Sequence, residues 1–200
     1  VFEVYIGDEH VCIDESQIIK FNTKLCMDEA VLITSCELKL DSGKVIKIES
    51  ERFVSRHNVH RWASRYIITP VNFSGDITVY SSIDGAVTNK NQGSSAGTRH
   101  FKIVSRHDLK NGIAQKVKTI ARGIEILEAS KLEIRDKKNP IPFTREYIEK
   151  DDSVKEACTF HAQKDESVTI YKLGATYTSR DTSDGLLYKC KKELFEFEND

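Results

Sequence analysis

The sequence predicts a mainly all-β, antiparallel domain with one short helix at its C-terminal end. Turn-forming clusters recur about every ten to fifteen residues, a spacing typical of short strands joined by tight connections. Between them apolar and charged residues alternate with a period of two, as in strands that rest one face on a core and wet the other. The last stretch instead changes to a run rich in Lys, Glu and Leu.

The elements follow in order. The clearest hairpin runs from Cys36 to Leu40, turns through Asp41-Ser42-Gly43-Lys44, and returns from Val45 to Ser50. Leu38 and Leu40 alternate with charged neighbours, as do Ile46 and Ile48, and Gly43 supplies the positive φ of the turn. A second hairpin is expected from Trp62 to Thr69, with Pro70 to Gly75 as its turn and Ile77 to Ile83 as its return. Asp84-Gly85 then breaks the pattern. From Thr88 to Thr98 the chain is rich in Asn, Ser, Gly and Gln, a composition expected of an exposed, mobile loop. Phe101 to Val104 resumes extended structure. Between Ile113 and Leu132 the positions Ile113, Val117, Ile120, Ile124 and Leu127 fit helical spacing, although β-branched residues and Gly123 weaken a helix. Val168, Ile170, Leu173, Ala175 and Tyr177 suggest a strand interrupted around Gly174, and Leu186 to Phe197 a closing helix.

Composition narrows the function. Hydrophobic residues make up 39% and charged residues 30%, the balance of a globular chain rather than a disordered one. Thirty basic against 31 acidic residues leave a net charge of −1, with no electrostatic footprint for nucleic acid or an anionic membrane. No apolar run approaches the length of a bilayer span. Cys12, Cys26, Cys36, Cys158 and Cys190 are odd in number and irregular in spacing, which points to free thiols in a reducing, cytoplasmic compartment. The start Val1-Phe2-Glu3-Val4-Tyr5 has neither an initiator Met nor a secretory signal, so the chain is expected to be part of a longer protein.

An ordered series of short segments then points to a family. Phe21-Asn22-Thr23-Lys24-Leu25-Cys26-Met27-Asp28 leads into Ala30-Val31-Leu32, and is followed by Glu51-Arg52-Phe53-Val54-Ser55, Arg65-Tyr66, Thr69-Pro70 and Phe73-Ser74-Gly75. Asp84-Gly85-Ala86-Val87-Thr88-Asn89 comes next, and Tyr177-Thr178-Ser179-Arg180-Asp181 closes the series. This set resembles the N-terminal domain of glycoside hydrolase family 65, whose members phosphorolyse α-linked glucose disaccharides such as maltose, trehalose, kojibiose and nigerose. The match is strongest at 84–89, similar to the family's D-G-x-V-T-N signature.

The resemblance implies a large antiparallel two-sheet supersandwich of the galactose-mutarotase-like type over residues 1–185. Residues 186–200 would begin a linker helix towards a catalytic (α/α)6 barrel that lies beyond Asp200. It also implies that Ile113 to Leu132 is mostly extended, and we take that reading over the helical periodicity, since a β-rich context overrides propensity. The family's catalytic glutamate and phosphate-binding residues lie in the barrel, so no catalytic residue is expected in this chain. The expected partners are the protein's own barrel and a second copy in a homodimer. The intact enzyme would take an α-linked glucose disaccharide, with inorganic phosphate as co-substrate and no cofactor. A sheet face built to meet the barrel would be exposed in this chain, and some self-association through it is expected.

Asp84, Gly85, Thr88 and Asn89 are the candidate site residues. They would form a polar loop that contacts the barrel near the active-site mouth, or a second subunit. The alternative is a turn whose Asp and Asn satisfy their own backbone. The remaining motifs read as structural. His57 and His60 stand three apart without a third ligand, and His100 and His107 flank a strand. Gly93 to Thr98 lacks the Gly-Lys-Ser/Thr ending of a phosphate loop, Asp151 and Asp152 sit in a charged turn, and Trp62 reads as core. Two rival functions remain. A sugar epimerase on the same sandwich would need an acid and a base, typically His with Glu, on opposite sides of the ring. A free-standing carbohydrate-binding module would usually show several aromatic faces.

Overall fold

The alternation of apolar and polar residues produces strands nearly throughout. The computed structural model describes residues 1–88, 97–137, 139–182 and 185–196. In chain order the strands are β1 (Phe2–Ile6), β2 (Glu9–His10), β3 (Gln17–Cys26), β4 (Val31–Lys39), β5 (Val45–Val54), β6 (Arg61–Pro70) and β7 (Gly75–Asp84). There follow β8 (Phe101–Asp108), β9 (Ile113–Thr119), β10 (Glu125–Asp136), β11 (Asn139–Pro140), β12 (Thr144–Lys150), β13 (Ser153–Ala162) and β14 (Val168–Thr178). The helix α1 (Leu186–Phe195) comes last.

The strands form two sheets, antiparallel at every pairing. A smaller sheet has the order β12-β13-β7-β1-β2. A nine-stranded sheet has the order β3-β4-β5-β6-β14-β10-β9-β8, with β11 beside β10. The sheets pack face to face as a sandwich. Ile46, Ile68, Ile134 and Ile170 of the large sheet meet Ile77, Val79, Cys158 and Phe160 of the small one. Each such side chain contributes about 1.5–3 kcal/mol when fully withdrawn from water.

The hairpin at Asp41–Lys44 forms as its alternation predicts: Gly43 has φ 82° and its N–H donates to Leu40 O at 2.9 Å. The region between Ile113 and Leu132 is extended, as the family resemblance implies, and its helical periodicity misleads. Pairing of Ile126 with Val117 and of Ala129 with Ala114 joins β9 to β10, and Gly123 turns between them at φ 66°. A spacing of three or four also marks the two faces of a hairpin whenever apolar residues are frequent on both.

Two expectations need correction. β6 and β7 do not pair as a hairpin. β6 lies between β5 and β14 in the large sheet, and β7 lies between β13 and β1 in the small one. The segment from Pro70 to Gly75 is therefore an arch between layers, because Tyr66 and Ile68 must face Ile77 and Val79 across one core. Nor is β14 interrupted at Gly174. Its ladder with β10 runs unbroken from Thr178 to Val168. Gly174 is there because it lies beneath the Trp62 indole, where a Cβ would fall within the ring.

On the outer face of the large sheet, Leu186, Cys190 and Leu194 of α1 pack on Leu127, Ala129 and Ala175. Glu193 clamps the helix in place. One carboxylate oxygen accepts from Asn58 Nδ2 at 2.7 Å and Arg61 Nε at 2.5 Å, and the other from the Tyr177 hydroxyl at 2.9 Å. Burial pushes this carboxyl up, but the bonds from Tyr177, Arg61 and Asn58 outweigh it and hold the group below the usual carboxylate range. All five cysteines are free thiols. No helix among the described residues is long and apolar enough to cross a membrane.

Glu193→Gln is expected to destabilise the chain by about 1–3 kcal/mol near neutral pH, read by urea unfolding. A carboxyl with a depressed folded pKa stabilises fully above its unfolded value, about 4.3, and loses that contribution as the pH falls through the folded value. The gap between parent and variant should therefore be constant above about pH 5 and close as the medium is acidified.

Candidate functional site

The signature at 84–89 begins where β7 leaves the small sheet. Asp84 is the last residue of β7 and pairs with Ser153 of β13. Its carboxylate accepts the Ala86 N–H at 2.7 Å, a two-residue turn closed on its own backbone. Gly85 is buried, and its N–H donates to Asp152 O at 2.7 Å. Arg99 bridges the base of the loop, donating to Gly85 O at 2.9 Å and to the Asp152 carboxylate at 2.6 Å. Asp152 is thus more than a solvated turn residue. A Cβ on Gly85 would lie 2.6 Å from Gln115 Nε2, 2.7 Å from Ile103 Cδ1 and 2.8 Å from Asp152 O, so only glycine fits. Val87 and Thr88 are exposed. Asn89 and most of the polar loop, 89–96, lie outside the described residues.

Beneath this loop the sandwich interior changes character. Glu156 and Ser81 pair across β13 and β7 on the small sheet, and Lys172, Ser130 and Gln115 are buried on the large one. Lys172 Nζ donates to Ser82 O at 3.1 Å, stands 5.8 Å from the Trp62 ring centre, and lies within electrostatic reach of Glu128 and Glu156. Glu156, 1% exposed, accepts from Arg145 Nε at 2.9 Å through Oε2. Arg145 also meets Asp108 at 3.0 Å and donates to Gly112 O at 2.8 Å. Burial pushes the Glu128 and Glu156 carboxyls up, against the pull of Lys172 and Arg145, and pushes the Lys172 ammonium down.

This polar layer was not singled out from the sequence, yet its signal was present. Glu156 shares parity with Val154, Cys158 and Phe160, and Lys172 with Val168 and Ile170. A charge at an inward position of an alternating strand is the mark of a buried ionic group.

Four of the histidine side chains have local partners, while His57 and His100 are exposed. His60 Nδ1 lies 2.9 Å from Thr176 O, and its ring stacks on Tyr177 with centroids 3.7 Å apart. His107 bonds Ser105 at 2.9 Å, and burial lowers its pKa. The pairs His10–Glu15 and His161–Asp76 lie at the surface, apart from the buried carboxyls. No group of three or more metal-ligating side chains gathers among the described residues. Trp62 donates to Thr176 Oγ1 at 3.2 Å and fills the space above Gly174, a core role.

Comparison with known proteins gives a consistent result. Residues 1–199 match the model of glycosyl hydrolase family 65, N-terminal domain. The chain is 33% identical over 201 residues to a kojibiose phosphorylase of Caldanaerobacter subterraneus subsp. tengcongensis, and 33% identical to one of Thermoanaerobacter brockii. Each alignment covers 98% of this chain and 26% of the relative, so the chain spans about a quarter of the length of these proteins. A solved structure from the human microbiome that carries the name of a kojibiose phosphorylase superposes with a TM-score of 0.78. That alignment has 11% identity over 98% of this chain and 24% of the other, a likeness of fold.

The geometry separates two substitutions at the loop base. Gly85→Ala is expected to cost about 1–3 kcal/mol, since the new methyl meets a backbone carbonyl that cannot retreat. Asp84→Ala should cost under about 1 kcal/mol, the worth of one exposed hydrogen bond. Urea unfolding of both variants checks the order.

Proposed function

This chain belongs to glycosyl hydrolase family 65 as an N-terminal domain, and from that premise we propose that it is the non-catalytic part of a disaccharide phosphorylase. In this reading a catalytic barrel, following residue 200, phosphorolyses an α-linked glucose disaccharide to β-glucose 1-phosphate. The sandwich supports that barrel, helps to shape the entrance to its active site and contributes to a homodimer. The α1 helix begins the linker between the two. The relatives at 33% identity, named for kojibiose phosphorylase, support this substrate class.

The observation that carries the proposal is an overhang. The nine-stranded sheet ends at β3, and every residue of β3 except Cys26 is exposed, so this edge stands clear of the sandwich core among the described residues. Phe21, Thr23 and Leu25 of β3 pair with Cys36, Thr34 and Leu32 of β4, so they share the inward-facing side of the sheet. Phe21 is 50% exposed, Leu25 58% and the adjoining Met27 77%. An apolar face of this kind marks a contact surface, and the length of the relatives supplies a contact of the right origin, the remainder of the polypeptide.

The 84–89 loop is assigned to the same assembly, reaching towards the barrel near its active-site entrance. Asp84 holds its own turn, which leaves Thr88 and Asn89 as the contacting residues.

Two measurements on the full-length enzyme test these assignments. Leu25→Ser with Met27→Ser should lower the phosphorolysis rate severalfold, or split the thermal transition into two, while the isolated chain melts as before. Unchanged kinetics, melting and molecular mass would remove the overhang from the assembly. Asn89→Ala with Thr88→Ala should raise KM for the disaccharide or shift the dimer equilibrium, and the parental values for both would reduce the loop to a turn.

A further inference from the structure

Within the polar part of the interior, three side chains from the two sheets converge. Ser81 of β7 pairs with Glu156 of β13 on the small sheet, and Ser130 of β10 pairs with Ile113 of β9 on the large one. Ile113 packs with Ile83 and Val154 across the layer. On the other side Leu132 packs in one cluster with Val79 and Cys158. Ser130 therefore lies between the same two apolar clusters as Ser81 and Glu156, and faces them by register. Arg145 marks the closeness: it donates to Glu156 Oε2 at 2.9 Å and to Gly112 O at 2.8 Å, and Gly112 lies directly against Ser130 O.

The three side chains are closed off from solvent, with Ser81 and Ser130 at 0% exposure and Glu156 at 1%. Ser81 Oγ, Ser130 Oγ and Glu156 Oε1 nevertheless have no hydrogen-bond partner among the described residues, so none of them bonds another. Native interiors rarely leave even one such atom unmet, because its lost hydration is not replaced. A molecule that meets all three must suit its neighbours. Lys172, whose Nζ donates to Ser82 O at 3.1 Å, and Arg145 stand against a cation. The Glu156 carboxyl stands against an anion. A large neutral ligand would have to part the two apolar clusters. A small neutral molecule that both donates and accepts fits, and a buried water makes about three hydrogen bonds.

We propose that one structural water is enclosed between the sheets, donating to Glu156 Oε1 and hydrogen-bonded to the hydroxyls of Ser81 and Ser130. It ties the small sheet to the large one where aliphatic contact gives out. It also completes the partners of Glu156, whose other oxygen Arg145 holds, and hydrogen bonds to both oxygens favour the charged carboxylate against the effect of burial. The site is separate from the overhang, so it stands or falls independently of the domain's role in a phosphorylase.

A crystal structure of the chain at a resolution that shows ordered water, with further crystals soaked in rubidium and bromide salts, tests the site. The expected result is one density peak about 2.7–3.0 Å from each of the three oxygens, with no anomalous signal from either ion. Crystals of Ser130→Val, whose added methyls take the place of the water, should lose the peak, and Ser42→Ala, on an exposed turn, should keep it. If Ser130→Val does not fold, the parent crystals alone decide. Four results would overturn the proposal: no peak in the parent, direct hydrogen bonds among the three side chains, an anomalous peak at the site, or a peak that persists in Ser130→Val.

Discussion

The two sheets are joined across their interior by side chains, and the strands that contribute them must each present every second residue inward. That parity is the constraint on which the rest depends. Ile46, Ile68, Ile134 and Ile170 on one layer and Ile77, Val79 and Phe160 on the other satisfy it at one end of the sandwich. The same rule forces the chain from β6 to β7 to cross between layers, since both strands carry their apolar set towards the same space. The helix obeys it from outside, resting on Leu127, Ala129 and Ala175, the residues of alternate parity to those that face inward.

Towards the other end parity is kept but the chemistry is not. Glu156, Lys172 and Gln115 occupy inward positions in strands whose neighbours are aliphatic. Moving such groups out of water costs several kcal/mol each unless they are paired. The pairing of Arg145 with Glu156 and Asp108 and the placement of Lys172 near two carboxyls offset part of that cost. The interior therefore has an apolar half that supplies stability and a polar half that does not. The base of the 84–89 loop borders the polar half through Gln115.

Much of this was legible in the sequence. The strand class, the Gly43 turn and the C-terminal helix follow from periodicity and turn chemistry, and the family followed from ordered short segments. What was missed has a common cause. Periodicity tells which face a residue takes, not which sheet its strand joins, so β6 and β7 were read as neighbours. Nor does it distinguish a helix from a hairpin with apolar residues on both faces, as at β9 and β10. Gly174 was read as a break because its reason, the indole of Trp62, lies 112 residues away in sequence but on the adjacent strand. At the site, Gly85 was legible as a special position, while Arg99 and Asp152, which hold it, were not. Their meeting is a property of the fold.

The outermost strand of the large sheet leaves one further mark on the protein's behaviour. β3 is ten residues long, and among the described residues it has a neighbouring strand on one side only, so its other edge is left unpaired by them. Such an edge invites a second copy to add on, strand against strand, and begin an aggregate. An antiparallel pair of β3 strands centred on Asn22 would set Lys20 of each copy opposite Lys24 of the other, two repulsive pairs at once. The bulge between Ile18 and Lys20 further spoils the straight edge that an added strand would follow. The lysines and the bulge thus act as gatekeepers, keeping the exposed apolar side chains of this edge from becoming a seed for fibres.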